Sequence, residues 1–240
     1  MLELVLVATA TTFATGLGVI PVAVLGRRAE DLRGGLLGVA AGVMLVAAIV
    51  GLLLPAFDEG GAGEVLAGFA AGIGFLLIAR HFIEEAPPGA IADGDRTWML
   101  VFLVLLVHSL PEGFAIGTAY ASTTAGLGLF IVVAIGIQNV PEGTSTAIPM
   151  ATAGYGFWAQ FWAAVLTSVP QPIGAVIAYL LVEEISALLP VSFAFAGGAM
   201  LALVVVSVFP DAVRERTRDA IIGLALGGAF MLAFSFVLGV

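Results

Sequence analysis

Apolar runs of about twenty residues, each ended by charges, glycine or proline, divide the chain into eight segments. They lie at roughly 3–25, 35–56, 62–80, 98–120, 125–152, 157–182, 191–210 and 219–239. A helix needs about 20 apolar residues to cross a hydrocarbon layer about 30 Å thick. The pattern therefore predicts an all-α polytopic membrane protein with eight transmembrane helices. Most connections are short, so 1–240 reads as a single transmembrane domain. The longest connection, EEAPPGAIADGDR (84–96), is a Pro/Gly/Asp loop. The first segment is too long for a signal-peptide core and lacks a charged start, so it reads as a retained helix.

Two of these runs are interrupted by polar residues. The fourth contains VHSLPEG (107–113) and the fifth IQNVPEG (137–143). An ionisable group at mid-membrane costs roughly 2.5–3.5 kcal/mol on insertion scales, so Glu112 and Glu142 require compensation. His108 precedes Glu112 by four residues, and Gln138 precedes Glu142 by four, which puts each pair on one helix face. Consecutive spans are antiparallel, so the two faces can converge at one depth. An imidazole, two carboxylates and an amide oxygen would then surround one point, a set suited to Zn²⁺ and open to Fe²⁺, Mn²⁺, Co²⁺ or Cd²⁺. Pro111 and Pro141 offer no N–H to Val107 and Ile137, so each motif should bend its helix and free a carbonyl. Gly113 and Gly143 leave room for close helix packing. The Gln138 amide cannot titrate, which favours a ligand site over a proton relay.

Composition agrees. The chain is 61% hydrophobic and 10% charged, against about 25% charged in soluble proteins. It has no cysteine, which removes disulfides and thiolate ligands. It has no lysine either, and eight arginines face seventeen acids, which argues against nucleic acid as a partner. The lipid bilayer is the implied surrounding. Arg27, Arg28, Arg33, Arg80, Arg96, Arg214, Arg216 and Arg218 all fall in or beside odd-numbered connections. Asp58, Glu59, Glu64, Glu183 and Glu184 mark even ones. By the positive-inside rule the odd connections are cytoplasmic and both termini lie outside, in the plasma membrane.

HSLPEG followed by QNVPEG resembles the paired signatures of the ZIP (Zrt/Irt-like) family of divalent-metal transporters, in particular its prokaryotic GufA-like branch. The resemblance implies eight spans in an inverted 3+2+3 repeat. It also implies metal ligation by His108, Glu112, Gln138 and Glu142. A fainter internal echo, GVMLVAAIVGLLLPAF (42–57) against GAMLALVVVSVFPDA (198–212), falls where such a repeat would put it. Met44 matches a methionine that joins the metal site in that branch; a core-filling methionine is the other reading. Ser109, Asn139, Gln171 and Ser207 occupy positions where relatives help to hold a second metal. Ser109, Gln171 and Ser207 depart from the family's usual residues, which implies one full site and a weakened or missing second. The histidine-rich cytoplasmic loop of the family is missing, and His81 reads as a surface residue.

The expected function is thus secondary uptake of a divalent transition metal, zinc first, without cofactor or enzymatic activity. No GxxxxGK[ST] pattern supports ATP-driven transport. Asp58, Glu59 and Glu64 could attract cations at the entrance, and Glu84, Glu85, Asp93 and Asp95 could accept them at the exit. Asp211 could line the exit or simply pair with Arg214. The alternatives are an intramembrane metal-dependent hydrolase, for which no HExxH is present, or a non-transporting metal sensor. A homodimer is admitted by the sequence but not required by it.

Overall fold

The computed structural model describes residues 1–84 and 96–240, with backbone alone at Arg27, Glu84, Arg96 and Thr97. The expectations placed on Glu84, Glu85, Asp93 and Asp95 lie outside what it describes. All regular structure among the described residues is helical. In chain order the helices are α1 (Leu2–Leu17), α2 (Val19–Leu25), α3 (Ala29–Ala48), α4 (Leu54–Glu59), α5 (Ala62–Glu84) and α6 (Arg96–Ala121). They continue with α7 (Leu127–Thr152), α8 (Phe157–Thr167), α9 (Pro170–Glu184), α10 (Leu189–Leu203) and α11 (Phe209–Leu238). Seven stretches of the described chain are long and apolar enough to cross a membrane, and the last of them runs over 53 residues, Ser186–Leu238. Inside that stretch Arg216 leaves helical geometry (φ −157°, ψ 104°).

Glycines set the packing. In lipid, helices gain little from hydrophobic burial against one another and associate through close backbone approach at small residues. A Cβ on Gly38 or Gly42 of α3 would stand 2.4 or 2.2 Å from the carbonyls of Ala220 and Leu224 in α11. The same holds for Gly68 and Gly72 of α5 against Val191 and Phe195 of α10, at 2.5 and 2.0 Å. Gly113 and Gly117 of α6 meet Gln171 and Ala175 of α9, at 2.2 and 2.1 Å. Residue numbers rise together along each of these contacts, so each pair runs parallel. The fourth close contact joins α1 to α7, where Gly143 leaves only 1.8 Å between a would-be Cβ and the Thr15 carbonyl.

Interruptions of the helices recur at matching places. Gly18 separates α1 from α2, and its carbonyl accepts a hydrogen bond from Thr144 Oγ1 at 2.8 Å. Ser168 and Val169 separate α8 from α9, and the Ser168 carbonyl accepts from Thr12 Oγ1 at 3.1 Å. A π-helical turn at Ile49–Leu53 lies between α3 and α4, just before Pro55. Its counterpart at Val204–Val208 lies between α10 and α11, just before Pro210. By contrast α6 and α7 run unbroken through Pro111 and Pro141.

The arginine-bearing connections meet at one end of the molecule. Arg33 pairs with Glu215 at 2.7 Å and Arg216 with Asp31 at 3.2 Å, joining the start of α3 to α11. Arg80, at the end of α5, donates from Nη1 to the Val206 carbonyl at 2.7 Å. His81 is exposed.

Candidate metal site

The i, i+4 spacing on α6 and α7 carries His108, Glu112, Gln138 and Glu142 into the interior, where each is at most 3% exposed. The two helices touch there: Gln138 Nε2 donates to Glu112 Oε1 at 2.6 Å. The other carboxylate oxygen, Glu112 Oε2, accepts from Gln171 Nε2 of α9, also at 2.6 Å. Both oxygens of Glu112 are therefore held by amide donors, the strong charge-assisted kind of hydrogen bond.

Three acceptor atoms of the same set have no such partner. His108 Nδ1, Gln138 Oε1 and Glu142 Oε1 are buried without a hydrogen bond from any described residue. Leaving a buried polar atom unpaired costs about 1–3 kcal/mol, more for a charged group. Nitrogen and oxygen lone pairs of this kind suit a borderline divalent cation. Among the described residues, no three His, Asp or Glu side chains stand close enough together to hold a metal ion by themselves.

A cavity of about 240 Å³ reaches His108 and Glu142. Ser145 lines it with them, and its walls also carry Arg33, Arg80, Ser207 and Asp211. Asp211 accepts from Arg214 at 3.0 Å and also lines this cavity. Ser207, expected near a second metal, lines the cavity beside Asp211, with its hydroxyl 3.5 Å from Asp211 Oδ2.

The remaining residues expected at a second site fall into two groups. Gln171 and Asn139 are fully buried and bonded to each other through both amides, at 3.1 and 3.2 Å. Asn139 Nδ2 also reaches the Thr11 carbonyl at 2.6 Å, and Thr11 Oγ1 donates to Gln171 Oε1 at 3.0 Å. Ser109 takes no part, because its hydroxyl bonds back to the Leu105 carbonyl of its own helix. Met44 is fully buried within the main apolar core.

Sequence reasoning passed over Thr11, Thr12, Thr15 and Ser168, which extend this network; Thr15 and Ser168 share a hydrogen bond of 2.6 Å. The signal was available, since TTFAT (11–15) puts Thr11 and Thr15 on one helical face. Arg80 and Ser145 were also missed.

Fold and site together define a multi-pass helical membrane protein with a buried set of nitrogen and oxygen donors. Comparison with known proteins gives its family: the profile described as ZIP Zinc transporter matches residues 88–235. The chain is 32% identical over 241 residues to Zinc transporter GufA of Myxococcus xanthus, covering 94% of this chain and 95% of that protein. It is 32% identical over 246 residues to Zinc transporter ZIPB of Bordetella bronchiseptica, covering 94% of this chain and 78% of that one. A protein of Arabidopsis thaliana matches 88% of this chain at 32% identity, and there the chain spans only 35% of the relative's length. The chain belongs to the ZIP zinc transporter family, a family of transporters and not of enzymes.

Proposed function

We propose that this protein takes up a divalent transition metal, zinc first, through one site formed by His108, Glu112, Gln138 and Glu142. The observation that carries the proposal is the set of three buried, unpaired acceptors on His108, Gln138 and Glu142. In a membrane interior such atoms are costly unless a cation or proton meets them. A divalent ion there would be the substrate, with the carboxylates offsetting its charge. Relatives named as zinc transporters support zinc as the metal; Cd²⁺, Fe²⁺, Mn²⁺ and Co²⁺ remain competitors by ligand type. Met44 belongs to the same proposal as a soft thioether neighbour.

The transport domain is read as eight passes with both termini outside the cell membrane. The parallel pairing supports this count. If α3 and α5 cross in opposite directions, their parallel partners α11 and α10 do too, and Ser186–Leu238 makes two passes that turn near Arg216. Matching breaks (α1/α2 with α8/α9) and matching π turns support an inverted 3+2+3 repeat. With the arginine-bearing end cytoplasmic, the cavity below His108 and Glu142 opens inward, and ions enter from the far side after one helix group rocks against the other.

A single metal follows from Gln171. Its Nε2 holds Glu112 and faces Asn139, so an amide N–H occupies the position that would demand a second cation if the residue were acidic. The test of the primary site is zinc flux into sealed proteoliposomes. His108→Ala and Glu112→Ala should each lower uptake strongly; wild-type rates in either variant would overturn the assignment.

A further inference from the structure

A second, smaller space adjoins the metal site and brings in a soft donor from a helix outside the paired motifs. It is a gap too narrow to admit water, bordered by His108, Pro111 and Glu112 of α6 and by Met200 of α10, with Leu76 and Leu203 beside them. His108 borders this gap and the larger cavity alike. Met200 is 1% exposed. Of the described residues at the gap, His108, Glu112 and Met200 are those whose side chains carry a lone pair.

A methionine that serves only as core filler closes irregular space, because its flexible thioether reaches whatever its neighbours leave open. Space left open beside it forfeits dispersion contacts on one side. Here the unfilled space lies where Met200 meets two residues of the proposed metal site. The sequence carries a matching mark. GVML (42–45) and GAML (198–201), from the two halves of the internal echo, put Met44 and Met200 at equivalent positions. Both are buried in the main core, and the gap sets Met200 beside His108 and Glu112.

Resting on the metal site proposed above, we propose that Met200 lends its thioether to the cation held at His108 and biases the site towards Zn²⁺ and Cd²⁺ over Mn²⁺ and Fe²⁺. Sulfur is polarisable and selects the softer ions, whereas Mn²⁺ gains little from it over oxygen. A thioether is also uncharged, so it adds a ligand without the cost of a further ionised group in lipid. Its place on α10 has a second consequence. The α10 helix packs on α5, and α6 on α9, through their glycines. A cation held by both His108 and Met200 therefore joins the two helix pairs.

The chain has no cysteine, so any protein sulfur around a bound ion comes from one of its six methionines. X-ray absorption at the cadmium edge is recorded on the purified full-length protein in sulfur-free buffer, for wild type, Met200→Leu, Met44→Leu and Met231→Leu. Leucine conserves volume at each position, and Met231 of α11 is a buried control. Affinities for Cd²⁺, Zn²⁺ and Mn²⁺ are titrated in parallel. Wild type should show sulfur beside nitrogen and oxygen in the cadmium shell. Met200→Leu should remove sulfur from it and weaken Cd²⁺ binding about tenfold while leaving Mn²⁺ nearly unchanged; Met231→Leu should alter neither. Should Met200→Leu unfold, Met200→Ile carries the same expectation. A wild-type shell without sulfur, a sulfur signal undiminished in Met200→Leu, or equal losses for Cd²⁺ and Mn²⁺ overturns the proposal. Loss of the whole signal in Met44→Leu also overturns it, since the thioether would then come from α3. The metal site itself fails separately, if wild type binds none of the three ions, whereas a shell of nitrogen and oxygen alone leaves that site standing and removes Met200 from it.

Discussion

Gln171→Glu changes one nitrogen to oxygen at the centre of the buried network, with almost no change in volume. The bonds that Gln171 Oε1 accepts, from Thr11 Oγ1 at 3.0 Å and Asn139 Nδ2 at 3.1 Å, can survive the exchange. The two that Nε2 donates, to Glu112 Oε2 at 2.6 Å and Asn139 Oδ1 at 3.2 Å, become oxygen–oxygen contacts. Losing a bond to a charged group costs about 1.5–3 kcal/mol and losing a neutral one about 0.5–1.5. Without metal the variant should therefore be destabilised by about 3 kcal/mol. For a chain of this size that corresponds to a fall in Tm of roughly 10 °C. Two carboxylates in contact cannot both stay ionised unless a cation joins them. Zinc at a hundred times its Kd adds about 2.7 kcal/mol and should restore most of the loss. The assay is thermal unfolding in detergent, in chelator and in zinc, with metal content measured on the purified protein. The expected result is one zinc per wild-type chain and two per variant chain. Two zincs in wild type, or one in a variant as stable in chelator as wild type, would refute the single-metal reasoning.

Other outcomes follow from the same geometry. Gly143→Ala should lower Tm and abolish flux, since its Cβ would lie 1.8 Å from the Thr15 carbonyl, whereas Gly136→Ala on the same helix meets nothing within 4 Å and should leave both unchanged. The chain has no cysteine, so single cysteines report sidedness without background. A membrane-impermeant maleimide should label Ser186→Cys in intact cells and Thr217→Cys only after permeabilisation; the opposite pattern would invert the orientation.

The membrane character and the meeting of α6 with α7 were legible because charge in a long apolar run is conspicuous. Glu112 and Glu142 stand out by cost, and their i, i+4 partners by spacing. Neutral hydroxyls carry no such flag. Thr11 and Thr12 bond back to their own helix, so the shared face of Thr11 and Thr15 does not by itself name Gln171 and Ser168 as partners. Gly113 and Gly143 read correctly as sites of close approach, yet their partners, α9 and α1, follow from tertiary packing. Ser207 lines the cavity from within a π turn, and i→i+5 bonding leaves no trace in hydrophobic periodicity. Arg80 shows the limit of counting loop charges: it donates to the Val206 carbonyl and lines the cavity that reaches His108 and Glu142.

The two π turns also act as phase shifters. Each amounts to one residue inserted into an α-helix, so every side chain beyond it is rotated by about 100° from where uninterrupted α-geometry would point it. Asp211 comes just after the turn at Val204–Val208. Deleting one valine from that turn would restore α-phase and swing Asp211 off the cavity wall while changing no polar residue. The direction in which the cavity presents the Asp211 carboxylate is thus encoded by the number of residues in a wholly ordinary-looking run, VVVSV, and not by any of its side chains.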